Sequence, residues 1–284
     1  MLARGLPVIF YTPILYPMKP RINSITWLLG VLVLAPFQQQ TAPPAPTTPP
    51  STELAWQPGE KLRFRVHYGL FTAGFFDMDV AAGTHTKNGH TCYRLNSYGH
   101  TVSGFEWFYK VRDKYSTFLD TQSLQPVFYY KDTHQGDYHF SDRVTFDYDA
   151  MTVNGVRGEF PLQANTQDMI SAFYYARNLD IRSAPAGTVF EIPVFIDDET
   201  YPLGLKVLGR DRIKTPLGRF DAIKVTPIVV SGRVFKGEEE MTIWISDDEN
   251  QVPLQVESPL LVGSAKATLV SYQNPAHPID ALID

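Results

Sequence analysis

Apolar and polar positions alternate along most of the chain with a period of two. Residues 60 to 68 set Leu62, Phe64, Val66 and Tyr68 against Lys61, Arg63, Arg65 and His67, the pattern of a strand with one face buried. Residues 107 to 115 read the same way, with Trp107, Tyr109, Val111 and Tyr115 opposite Lys110, Arg112 and Lys114. Both apolar faces should meet the core, leaving two basic faces on the opposite side, suited to anionic envelope components. Further short alternating runs, divided by Gly, Pro, Asn and Asp, predict strands near 75–83, 91–101, 127–134, 138–148, 188–196, 203–210, 221–231, 238–246, 252–257 and 264–272.

One segment breaks the period. Met169, Ile170, Phe173 and Tyr174 recur at helical spacing within 167–178, after Thr166 as N-cap and with Arg177 in the last turn. The predicted fold is therefore mainly β: an antiparallel meander closed into a barrel-like or two-sheet fold, with one packed α-helix.

The amino terminus has a different character. After Met18, which we read as the true start, Lys19 and Arg21 precede an apolar stretch from Ile25 to Phe37. A basic cluster followed by such a stretch matches a secretory signal and falls short of a bilayer span. Residues 1–37 are thus an export segment, with an uncleaved anchor or a two-segment membrane hairpin as alternatives. The run QQQTAPPAPTTPPST from Gln38 has no side chains to build a core, so 38–55 is a Pro-rich tether and 56–284 a single β-rich domain. The expected location is the periplasm or cell envelope.

Composition narrows the function classes. Aromatic residues are 13% of the 284 and charged residues only 19%, which favours strands and large buried surfaces. A net charge of -5 offers no basic field, so nucleic acid is not a partner. Cys92 is the only cysteine; no internal disulfide can form, and the thiol reads as a packed small side chain.

Four segments together resemble the exported bacterial family called domain of unknown function 3108. They are Gly59-Glu60, Leu62, Phe64, Val66 and Tyr68-Gly69 with Ala73-Gly74; Asp168, Ser171 and Tyr174 to Arg177; Gly209 with Thr215-Pro216-Leu217-Gly218, Phe220 and Ile223-Lys224-Val225; and Trp244, Ser246-Asp247-Asp248 and Pro253. The resemblance spans 56–272 and implies export and a β-barrel-like fold, with no activity to carry over. A looser architectural likeness to lipoprotein-carrier half-barrels is analogy alone.

No motif spells out a reaction. The chain has no Gly-x-Ser-x-Gly elbow, Gly-rich phosphate loop or His-Glu-x-x-His, so no catalytic residue and no cofactor is assigned. Asp132, His134, Asp137, His139 and Asp142 fit a polar hairpin turn better than a metal spacing, and no metal is assigned there. The loop Asp247, Asp248, Glu249, Asn250 reads as a turn with solvated charges, and Glu238 to Glu240 as solvated carboxylates opening a strand.

The function expected is non-catalytic binding in the envelope. An amphiphilic or apolar ligand, such as a lipid, would occupy a β cavity beside the helix, with Tyr174 or Tyr175 at its edge and Arg177 at a polar opening. A structural or assembly factor that meets an envelope protein or glycan is the alternative, and a glycan-directed hydrolase a second.

Overall fold

The computed structural model describes residues 53–107, 109–229, 241–259 and 264–284. Residues 1–37, expected as an export segment, most of the expected tether, and Glu238 to Glu240 lie outside the described residues.

Among the described residues, fifteen antiparallel strands form one continuous sheet. In chain order they are β1 (Lys61–Tyr68), β2 (Phe71–Val80), β3 (His85–Lys87), β4 (His90–Thr101), β5 (Val111–Asp120), β6 (Pro126–Gln135), β7 (Tyr138–Asp147), β8 (Thr152–Gly155), β9 (Gly158–Pro161), β10 (Val189–Ile196), β11 (Glu199–Thr215), β12 (Gly218–Val229), β13 (Thr242–Ser246), β14 (Pro253–Pro259) and β15 (Ser264–Gln273). The four-residue helix α1 (Ser103–Glu106) sits between β4 and β5, and α2 (Met169–Ala176) between β9 and β10. The path runs β10 to β15, then β1, β2 and β4 to β9, with β3 paired to β4.

The chain's middle supplies both edges, β9 and β10, and they do not pair with each other. The sheet curls until they meet through side chains. Phe195 of β10 packs against Phe146 of β7 and Phe160 of β9, with ring centroids 6.1 and 6.0 Å apart. Gln167 covers part of the β10 edge, its N–H donating to Pro193 O and its carbonyl accepting from Phe195 N, both at 2.8 Å.

The expected β1 alternation holds as far as Val66; Tyr68, expected on the core face, is exposed at the strand's end. Leu62, Phe64 and Val66 are buried while Lys61 and Arg63 are exposed. In β5, Val111 and Tyr115 are buried, Lys114 is exposed and Arg112 is half-buried. The two basic faces stand two strands apart, and Arg63 is paired with Asp77 and Arg112 with Glu106, so they do not merge into one patch. The strand expected from residue 107 begins only at Val111. Trp107 instead ends α1 and is exposed, its indole N–H donating to Gly104 O at 3.0 Å.

The Ala73-Gly74 pair has a steric reason. A Cβ on Gly74 would stand 2.2 Å from His100 O, so only glycine lets β2 and β4 approach this closely. Cys92 is buried in β4, and desolvation pushes its thiol up to about 11, in keeping with a packed rather than reactive side chain.

Candidate functional site

Helix α2 is fixed at both ends. Its N-cap is Asp168 rather than Thr166: one carboxylate oxygen accepts from Ile170 N (2.8 Å), Ser171 N (3.0 Å) and Thr117 Oγ1 of β5 (2.8 Å), while Ser171 Oγ accepts from Asp168 N. Tyr174 is fully buried, in edge contact with Trp56, whose Nε1 donates to Tyr174 O at 3.1 Å.

Arg177 caps the other end and is also buried. Its guanidinium makes a two-pronged pair with Glu60 at 2.6 and 2.9 Å, and donates to Asn250 O and Ala55 O at 3.0 and 2.9 Å. Tyr272 Oη adds a bond to Glu60 at 3.3 Å. Helix, amino-terminal segment, β15 and the β13–β14 loop are thus locked together, and this end of the barrel is closed. The expected placement is corrected here: Tyr174 and Arg177 bind neighbouring protein and do not face an opening, and Tyr175 is half-buried against the apolar cluster of β10 to β13.

The β13–β14 loop differs from its expectation as well. Asp247 and Glu249 pair with Arg182, but Asp248 and Asn250 are buried. Asp248 accepts from Ser246 Oγ at 2.7 Å, and Asn250 donates to the carbonyls of His277 and Pro278. Fixing the carboxy-terminal tail requires these side chains to turn inward.

A recess does lie at the seam, beside the start of α2. Tyr129, Phe140, Val144, Met169, Phe195 and Ile196 line it with Lys131, Asp142, Arg157, Asp197 and Asp198. Its volume is about 30 Å³, whereas small-molecule sites occupy roughly 300 Å³ or more. Ion pairs Lys131–Asp197 (3.3 Å) and Arg157–Asp198 (2.8 Å) form part of its lining.

The exposed apolar surface is concentrated elsewhere. Because strands alternate in direction, the β1–β2, β4–β5 and β6–β7 connections share the end opposite the Arg177 lock, whereas the short β8–β9 turn stops beside Asp142 in the middle of β7. The first two connections carry Leu70 (100% exposed), Trp107 (84%) and Phe71 (73%), the three most exposed large apolar side chains among the described residues; Val156 (65%), the fourth, is on the β8–β9 turn. Tyr138 and Tyr68 stand on the same rim. Gly69, at φ +54°, makes the sharp turn that pushes Leu70 outward. Val102 N donates to Ala73 O at 3.0 Å, so the Phe71 and Trp107 connections are neighbours. Sequence alternation could not reveal this rim, since at strand ends it does not distinguish a core side chain from one beyond the core.

The β6–β7 hairpin behaves as its spacing implies. A two-residue turn at Gly136-Asp137 sets His134 directly opposite His139, on the outer face of the sheet, with their rings stacked 3.8 Å apart. Asp132 Oδ1 lies 3.3 Å from His134 Nε2 and 3.2 Å from His139 Nε2. Asp142 is buried, and its Oδ1 accepts from Arg143 N and Val156 N.

Comparisons with known proteins agree with this architecture. The model of the DUF3108 family, described as proteins of unknown function, matches residues 63–270. A β-barrel-like DUF1849 protein from Brucella abortus superposes with a TM-score of 0.54 at 10% identity, covering 78% of this chain and 99% of its own. A Parabacteroides distasonis protein provisionally described as a lipoprotein gives a TM-score of 0.36 at 11% identity, covering 78% of this chain and 100% of its own. No curated protein matches the chain.

Proposed function

Because the chain belongs to the DUF3108 family, which brings no activity with it, we propose from its own geometry that it is a non-catalytic, exported envelope protein that docks on a lipid surface through its apolar rim. The observation that carries this reading is the exposure of Leu70, Phe71 and Trp107 on two connections that the Val102 N to Ala73 O bond makes neighbours. Export rests on the basic and apolar pattern of residues 19–37. The seam recess is far too small to enclose an acyl chain, and in this reading the amphiphile meets the exposed rim instead.

Apolar insertion dominates over charge. Transferring each of Leu70 and Phe71 from water contributes about 1.5–3 kcal/mol, and an exposed Trp suits the headgroup boundary. Lys110 is exposed on this rim, but Glu106 and Asp137 are beside the same turns, so among the described residues no strong basic field accompanies the tips. The earlier expectation of anionic docking by the strand faces is replaced by one of modest salt dependence.

The test is co-sedimentation with phosphatidylethanolamine and phosphatidylglycerol vesicles. The mature chain should pellet with them at both low and high salt, and Leu70→Ser with Phe71→Ser should lower the partition at least about tenfold. No pelleting, or equal pelleting of the double variant, would overturn the reading and favour a protein or glycan partner for the rim.

A further inference from the structure

We infer that the β6–β7 hairpin holds a divalent transition-metal ion between His134, His139 and Asp132. Among the described residues this is a set of three in which every candidate ligand atom lies within 4.8 Å of the others. Zinc bonds of 2.0–2.1 Å to imidazole nitrogen and about 2.0–2.2 Å to carboxylate oxygen give a tetrahedron with edges of about 3.3–3.5 Å. The two Asp132-to-histidine distances, 3.3 and 3.2 Å, are close to such edges. They are longer than the roughly 2.7–2.9 Å of a strong charge-assisted hydrogen bond, and both Nε2 atoms converge on one oxygen.

The backbone supplies preorganisation. His134 and His139 are cross-strand partners, and Asp132 lies two residues before His134 on the same face, so the hairpin brings all three together; the imidazoles, stacked 3.8 Å apart, turn about their Cβ–Cγ bonds to aim both Nε2 lone pairs at one ion. Two imidazoles with one carboxylate select zinc, copper or nickel over calcium or magnesium, which prefer oxygen alone. Three protein ligands leave a fourth position open to water or to a donor from a bound molecule. Two cations oppose the site: Arg112 is paired across from His134 and Lys114 across from Asp132. Arg112 is engaged by Glu106, and Asp132 contributes the compensating negative charge.

The experiment uses the mature chain without a histidine tag. Calorimetric titration with Zn²⁺ should show one equivalent bound; His134→Gln and His139→Gln should each weaken it at least about tenfold, while His90→Gln, on another hairpin, should not. Cu²⁺ in the same site should show electron paramagnetic coupling to two imidazole nitrogens, reduced to one in either variant. Absence of Zn²⁺ binding, binding indifferent to His134 and His139, or preference for Ca²⁺ would each overturn the assignment. Because both histidines are exposed, the variants should keep the wild-type circular dichroism; if one does not, the Cu²⁺ spectrum of the wild type alone decides between two nitrogens and none.

Discussion

Replacing Glu60 by alanine is expected to cost the fold about 3–5 kcal/mol, because it strands the Arg177 guanidinium in a site with almost no access to water. For a domain of this size that is a fall of roughly 6–20 °C in melting temperature. Arg177→Met should be similarly damaging. Their combination, Glu60→Ala with Arg177→Met, should cost clearly less than the two single losses added, since it leaves no buried charge. Denaturant melts of the four proteins give the comparison. A loss below about 1 kcal/mol for Glu60→Ala would mean that water reaches the pair and that this end of the barrel is not closed.

A second large effect lies at the opposite end of helix α2. Asp168 is fully buried, and desolvation pushes its carboxyl up to about 6 even though Ser171 N, Thr117 Oγ1 and Ile170 N all donate to it. Those three bonds converge on one oxygen; the other, Oδ2, has no hydrogen-bond partner among the described residues. Because the folded value is above the ordinary carboxylate value near 4, the native state retains a proton that the unfolded chain has released. The associated stabilisation is complete below about pH 4 and is lost as pH rises through about 6. Between those limits the loss is on the order of 2–3 kcal/mol. Asp168→Asn keeps an acceptor oxygen but cannot ionise, so wild type minus variant stability should fall by that amount from pH 4 to 7. A difference independent of pH would show that Asp168 stays ionised throughout.

The elements marked by local periodicity were legible. The β1 alternation was read in its correct register, and the helix was located to within two residues at each end. The resemblance to domain of unknown function 3108 spanned nearly the stretch that the family model matches. Long-range partners were not legible. Nothing near Arg177 in the sequence points to Glu60, 117 positions away, so a helix-ending arginine looked equally suited to a ligand. The β11 strand runs to 17 residues, twice the length read for it, because a bulge at Val207/Gly209 shifts the alternation midway. Trp107 continued the period of β5 yet sits beyond its start, on the rim. The histidine pair carried a usable signal: with a two-residue turn, positions i and i+5 are cross-strand partners.

The docking claim is tested most directly by Trp107 itself. In vesicles containing lipids brominated on the upper acyl chain, wild-type fluorescence should blue-shift and be quenched. Trp107→Phe should lose most of that response, because Trp56 is buried and Trp244 half-buried. Quenching that persists undiminished in Trp107→Phe, or emission from Trp107 that stays at its aqueous wavelength under saturating vesicles, would contradict the account.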